Sequence, residues 1–122
     1  MPAAQVMNQQ TVVGLVEELD AAFTLELIET FLQDSPQLVR QIREGIQEND
    51  PGAVRRAAHT LKSNSVTFGL EQLAPLCQKL ERLAAGGSLP QSAALASGEI
   101  EVAHRLAQDA LLDIKQKLAE NH

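Results

Sequence analysis

The chain has 122 residues, which is enough for one compact domain and too few for two independent hydrophobic cores. Leu and Ala are abundant, with 18 and 17 copies, whereas the only aromatic residues are three Phe, so the composition favours helices over strands. The formal net charge of −6 argues against sequence-independent binding to nucleic acid or to anionic lipid, and we expect a protein partner.

The first half of the chain predicts a short helix and a long one. Residues 1–9 are expected to be a flexible N-terminus, and apolar residues at helical spacing then predict a short helix over residues 10–19. A second apolar pattern predicts a helix over residues 23–47. A kink or a local break is expected just before Pro36, because proline lacks the amide hydrogen that a helix interior uses.

A third helix is predicted from a restart signal at Asp50-Pro51. An Asp side chain is suited to capping the free amides of a first turn, and proline fits the first helical position. The helix is expected to run to about Thr67, because Gly69 is suited to a left-handed terminator or a tight turn.

Two further helices complete the pattern. The fourth extends to about residue 84, with Pro75 either in an irregular first turn or close to the true start. Residues 84–90 are the plainest predicted loop, and the last helix then runs to about residue 120, with a break or frayed start expected at Ser97-Gly98. Short connections between successive long helices imply antiparallel neighbours. We therefore predict an all-α fold, an antiparallel up-and-down four-helix bundle with an additional short N-terminal helix, forming one domain over residues 10–120.

Cysteine content and hydropathy indicate the cellular environment of the protein. Cys77 is the only cysteine, which excludes an intrachain disulfide and a cysteine-based zinc site, and we expect it to be a small buried residue. No stretch of about 18 apolar residues is present, and the first ten residues lack the features of a signal peptide. These features predict a soluble, cytoplasmic protein.

The third helix carries the chemically informative residue, His59. At about 100° per residue, the positions roughly 120° to 180° away from it form the expected core face: Val54, Leu61, Ser65 and Phe68. The positions within about 60° of it form a basic face with one apolar member: Arg55, Arg56, Lys62, Ser63 and Val66. His59 is therefore expected to point to solvent.

Positive charge is concentrated around this histidine. Residues 50–69 carry a net charge of +2, whereas residues 1–49 sum to −6 and residues 70–122 to −2. A neutral imidazole is a nucleophile, and neighbouring cations can neutralise an anionic group delivered to it. A phosphoryl group is the obvious candidate.

The residues from His59 onward form a recognisable motif. In chain order they are His59-Thr60-Leu61-Lys62-Ser63-Asn64-Ser65, then Phe68-Gly69-Leu70, Leu73, Cys77 and Leu80-Glu81. This motif closely resembles that of the histidine-containing phosphotransfer (HPt) domains of bacterial and fungal phosphorelays. The resemblance implies that His59 accepts a phosphoryl group from an aspartyl-phosphate on a receiver domain and passes it to another receiver. Lys62 would match the family's phosphate-neutralising lysine.

Other residues near the motif receive roles on the same basis. The family usually has Gly where this chain has Ser63, whose side chain either crowds the phosphoryl group or hydrogen-bonds to it. Arg55 is a further candidate for phosphoryl stabilisation. Glu81 is expected to accept a hydrogen bond from the ring and so fix its tautomer. Val66 and Arg56 are expected to belong to a docking patch for an acidic receiver surface.

Motifs for other chemistries are missing from the sequence. It contains no nucleotide-binding or hydrolase signature, so we do not expect it to be the kinase of a relay. The resemblance implies a phosphotransfer protein and not an enzyme. No permanent cofactor is expected, and Mg²⁺ is expected on the receiver partner only. The partners implied are receiver domains of response regulators or hybrid histidine kinases.

Two competing interpretations remain open at this level. Glu101 and His104 have the E-x-x-H spacing of di-iron bundles, but a second such pair is missing, so His104 is expected to be a surface or boundary residue. The alternative function is a helical-bundle interaction module that binds a receiver or kinase domain without being phosphorylated. Labelling by a phosphorylated receiver distinguishes that module from a phosphoacceptor.

Overall fold

The computed structural model describes residues 5–120, and these residues are almost entirely helical. The helical segments are α1 (Gln9–Leu19), α2 (Ala21–Gln47), α3 (Pro51–Thr67), α4 (Leu73–Ala85), α5 (Leu89–Leu95), a π-helical turn (Ala96–Ile100) and α6 (Glu101–Glu120). The last three follow one another without leaving helical backbone, so they form one long helix. No strand occurs in residues 5–120, and the predicted fold of four long helices and a short N-terminal one is confirmed.

The four long helices close around one hydrophobic core. Helix α3 packs against α2 on one side and α4 on the other, α2 also contacts α6, and α4 contacts α5 and the π-helical turn. The rings of Phe31 and Phe68 meet edge to face across the core, with centroids 5.6 Å apart. Helix α1 packs on α2. None of the helices in the described part of the chain is long and apolar enough to cross a membrane.

Three polar side chains begin the first three helices. A carboxylate or amide oxygen accepts a hydrogen bond from a first-turn amide at Asn8 (3.0 Å, α1), Asp20 (2.8 Å, α2) and Asp50 (3.1 Å, α3). Pro51 occupies the first position of α3, as the restart signal predicts. The start and the facing of α3 are therefore determined locally.

Prolines and glycine affect the helices less than the sequence suggests. Helix α2 continues through Pro36, so of the two predicted alternatives, a kink or a local break, the break is wrong. Pro75 is the third residue of α4, where a missing amide removes no intrahelical bond. Ser97 and Gly98 lie within the π-helical turn, where the helix widens and does not stop.

The N-terminal segment packs more closely than its sequence predicts. Of the predicted flexible residues 1–9, residues 1–4 lie outside the described residues, whereas Met7 is buried in the core. The amide of Asn8 donates to the carbonyl of Gly69 at 2.7 Å. Gly69 has the left-handed φ of 62° expected of a terminator, and a Cβ there would lie 2.6 Å from the hydroxyl of Thr11. The packed domain thus begins before residue 10.

Candidate functional site

His59 lies on the outer face of α3. Its side chain is 59 % exposed, and the four residues predicted for the opposite face are all buried: Val54, Leu61, Ser65 and Phe68. The hydroxyl of Ser65 donates to the carbonyl of Leu61 at 2.6 Å, so this polar side chain is satisfied inside the core. The amphipathic pattern of α3 therefore presents the imidazole to solvent.

The side chain of Glu81, on α4, links His59 to Lys62. Its Oε2 lies 3.0 Å from Nδ1 of His59, and its Oε1 accepts a hydrogen bond from Nζ of Lys62 at 3.0 Å. The hydrogen bond from Lys62, followed by that from His59, lowers the pKa of the Glu81 carboxyl below its usual range despite partial burial. An ionised carboxylate can only accept hydrogen bonds, so Nδ1 of His59 carries the ring hydrogen. The lone pair of the neutral ring is then on Nε2.

Two arginines stand beside the imidazole. Arg55 and Arg56 line one surface concavity with His59, Thr60 and Glu81. Both arginine side chains are exposed. Thr60 was not among the predicted site residues; its hydroxyl donates to the carbonyl of Arg56 at 3.1 Å, and its place four residues after Arg56 on the same face is the signal that could have identified it.

The remaining predicted residues lie further along or around α3. Ser63 is exposed, and its carbonyl accepts a hydrogen bond from the Thr67 hydroxyl at 3.4 Å. Val66 is 61 % exposed and leaves an apolar spot on this face. Arg56 also lines a second concavity with Glu44 and Glu48 of α2. Ser63, Val66 and Arg56 share a helix with His59 but make no hydrogen bond to its side chain.

Cys77 lies one turn before Glu81 on α4 and is fully buried. Burial raises the pKa of its thiol to about 12, with a further contribution from the negative charge of Glu81. The thiol is therefore uncharged at neutral pH and takes no part in nucleophilic chemistry. This agrees with the expectation of a small buried residue.

His104 does not lie at the surface, contrary to the prediction from the sequence. It is 6 % exposed, and its Nε2 lies 2.8 Å from the hydroxyl oxygen of Ser35. Glu101 instead pairs with Arg43, at 2.7 Å. Among residues 5–120, no three His, Cys, Asp or Glu side chains are grouped so as to hold a metal ion. Burial of His104 follows from its position on the α6 face that packs against α2. Both residues of the E-x-x-H motif contact side chains of α2 there.

The chemistry available at His59 follows from these contacts. A neutral ring with its hydrogen held on Nδ1 presents Nε2 as a nucleophile, and Lys62, Arg55 and Arg56 surround it with positive charge. Such a site suits an anionic electrophile.

Comparison with known proteins gives matches along nearly the whole chain. Residues 26–120 match the protein-family model described as Hpt domain. The structure is similar to the crystal structure of histidine-containing phosphotransfer protein B from Pseudomonas aeruginosa, with 26 % sequence identity and a TM-score of 0.87 over 94 % of this chain and 98 % of that chain.

A second solved structure is similar in fold alone. It is the HPT domain from the Hpt sensor hybrid histidine kinase from Shewanella, with 16 % identity and a TM-score of 0.75 over 92 % of this chain and 95 % of that chain. No curated protein matches the chain significantly.

Proposed function

The chain belongs to the Hpt domain family, and from this premise we propose that His59 is the phosphoacceptor of a phosphorelay. Members of this family carry phosphoryl groups between other proteins and are not enzymes in the ordinary sense. His59 receives the phosphoryl group from an aspartyl-phosphate of one receiver domain and passes it to the aspartate of another. The observation that carries the proposal is the exposed imidazole whose Nδ1 is held by Glu81.

The transfer step follows from the protonation state of the ring. The Nε2 lone pair forms the bond to phosphorus while the bond between phosphorus and the aspartyl oxygen breaks, and its electron pair leaves with the carboxylate. No proton moves, because the ring hydrogen stays on Nδ1 and remains hydrogen-bonded to Glu81. The product is a cationic N-phosphorylated ring. In the onward step an aspartate oxygen of the next receiver bonds to phosphorus, the bond between phosphorus and Nε2 breaks, and its electron pair returns to Nε2 to restore the neutral imidazole.

Phosphoryl transfer depends on alignment and charge neutralisation, and cations of α3 are available to neutralise the charge. Lys62 lies one turn after His59, and Arg55 lines the same concavity as the ring. Ser63 is exposed on the same face, where its hydroxyl is available as a hydrogen-bond donor to the phosphoryl oxygens. The catalytic Mg²⁺ is brought by the receiver with its own aspartate, so this protein needs no permanent cofactor.

The receiver docks on the face of α3 that carries His59. Val66 supplies an exposed apolar contact, and Arg56 supplies positive charge for an acidic receiver pocket. An interface of this kind is transient, and its association rate falls as salt screens the charges.

Transfer from phosphorylated receivers tests the proposal. Receivers phosphorylated on aspartate are mixed with the wild-type protein and with His59→Gln, and acid-labile label on this protein is followed over seconds. We expect rapid label on the wild type and none on His59→Gln, with equal helical content by circular dichroism.

Two results would contradict this assignment. Label retained by His59→Gln would place the phosphoacceptor elsewhere. A wild-type protein that binds the receivers and stays unlabelled would instead be the interaction module considered from the sequence.

A further inference from the structure

Glu81 divides its two carboxylate oxygens between two partners on α3. Oε2 accepts from the ring of His59 and Oε1 accepts from the ammonium of Lys62, each at 3.0 Å. Both Lys62 and Glu81 are largely shielded, with side chains 26 % and 23 % exposed. In the unphosphorylated protein Lys62 is therefore already paired with the carboxylate of Glu81 and is not free to bind another anion.

Phosphorylation changes the charges around Glu81. The form of the ring that can attack phosphorus has a free lone pair on Nε2 and no charge, and Lys62 is then the cation next to the carboxylate. After transfer through Nε2, the ring keeps its Nδ1 hydrogen and becomes cationic, so Glu81 acquires a second positive partner through the hydrogen bond it already makes. The phosphoryl group, with charge −2, is a stronger attraction for an ammonium than a single carboxylate.

We propose that Lys62 changes partner when His59 is phosphorylated, leaving Glu81 for the phosphoryl oxygens while the cationic ring takes its place as the counter-ion of Glu81. This inference rests on the proposed function. Glu81 is thus a positioning residue with a second role, because it holds the lysine next to the ring until a phosphoryl group arrives. The lysine stem is long enough for this change, since Lys62 lies one turn from His59 on the same helix.

The other charged groups near Glu81 leave this exchange to Lys62. Arg55 and Arg56 line the concavity with Glu81 but make no hydrogen bond or ion pair to it among the described contacts. Cys77, on the same helix as Glu81, is uncharged at neutral pH. Release of Lys62 therefore leaves the imidazolium as the main counter-charge of the carboxylate.

A double-mutant cycle measured in both states of the protein tests the exchange. The wild type, Lys62→Met, Glu81→Gln and the double variant are unfolded in urea at pH 7.5, before and after phosphorylation by the small-molecule donor phosphoramidate. In the unphosphorylated state we expect a Lys62–Glu81 coupling of about threefold in the unfolding equilibrium constant, as for a partly exposed ion pair. In the phosphorylated state we expect no coupling between these two positions.

Controls separate failure of the exchange from failure of the proposed function. Lys79→Met combined with Glu81→Gln is the matched control, because residues two apart on a helix do not face each other, and it should show no coupling in either state. The same Lys62–Glu81 coupling in both states overturns the exchange and leaves the phosphoacceptor role intact. Absence of label on His59 with phosphoramidate and with phosphorylated receivers alike, judged against His59→Gln, overturns both; where only a receiver labels His59, the receiver replaces phosphoramidate as the donor in the cycle.

Discussion

The Nε2 atom of His104 lies 2.8 Å from the hydroxyl oxygen of Ser35, and this contact joins α6 to α2 inside the bundle. Both side chains are buried, and each satisfies a polar atom of the other. Burial lowers the pKa of His104 below its ordinary value of 6.5, against a smaller opposing effect of Glu101. The folded state therefore keeps this ring neutral at pH values where the unfolded chain protonates it.

Stability is expected to depend on pH because of His104. Below about pH 6.5 the unfolded state binds a proton that the folded state does not, so the free energy of unfolding falls as the pH falls, by at most about 1.4 kcal/mol per pH unit. Above about pH 7 this contribution is constant. Urea unfolding of the wild type at pH 5.5 and pH 7.5 measures the difference, in a range above the one where Glu81 titrates.

His104→Gln is the control for this pH dependence. Glutamine can still hydrogen-bond to Ser35 but does not titrate, so the variant should lose less stability than the wild type between pH 7.5 and pH 5.5. An equal loss in both proteins would assign the effect to another group.

Truncation of Leu61 should destabilise the domain. Leu61 is fully buried on the face of α3 opposite His59, so Leu61→Ala removes buried apolar surface and leaves a cavity, at a cost of about 3 kcal/mol. Urea unfolding checks the value. Val66→Ala, at an exposed position of the same helix, should change the free energy of unfolding by no more than about 0.5 kcal/mol.

Loss of the Glu81 side chain should slow phosphate acceptance by His59. Glu81→Ala removes the acceptor that keeps the hydrogen on Nδ1. We expect a rate of phosphate acceptance about tenfold lower, which is the lower end of the losses that follow removal of the hydrogen-bond partner of a metal-bound histidine. Glu81→Gln retains an oxygen acceptor and should recover much of the rate. Labelling by a phosphorylated receiver, quenched at successive times, gives both rates. An unchanged rate in Glu81→Ala would contradict a role for this hydrogen bond.

An acidic residue at the predicted docking patch should slow transfer from a receiver. Val66→Asp places a negative charge where an acidic receiver surface is expected to dock, so the transfer rate at limiting receiver concentration should fall about tenfold or more. Val13→Asp, at an exposed valine of α1, is the matched control and should transfer at the wild-type rate. Equal slowing in both variants would indicate a general effect of charge.

The helices and the facing of α3 could be predicted from local patterns. The caps at Asp50-Pro51 and the apolar period of α3 are properties of neighbouring residues, and they determine that His59 points outward. The burial of His104 could not be predicted in this way, because it depends on how α6 packs against α2, where Ser35, 69 positions away, is the partner of its ring.

The site shows the same division between local and distant signals. The basic face of α3 was predictable from helical geometry, and the role of Glu81 was expected only through family resemblance. The simultaneous contact of Glu81 with Lys62 was not predicted, since it depends on how α3 and α4 pack. Continuation of α2 through Pro36 also reflects packing, because the tertiary contacts of a long helix offset the loss of one backbone bond.

The nucleophile and the group that holds its ring hydrogen belong to different helices, 22 positions apart in the chain. A peptide with the sequence of α3 alone would retain the histidine but would have nothing to select its reactive tautomer. On the proposed function, a nascent or damaged copy that lacks this contact would therefore accept phosphate more slowly than the assembled bundle and would divert little phosphate from intact molecules.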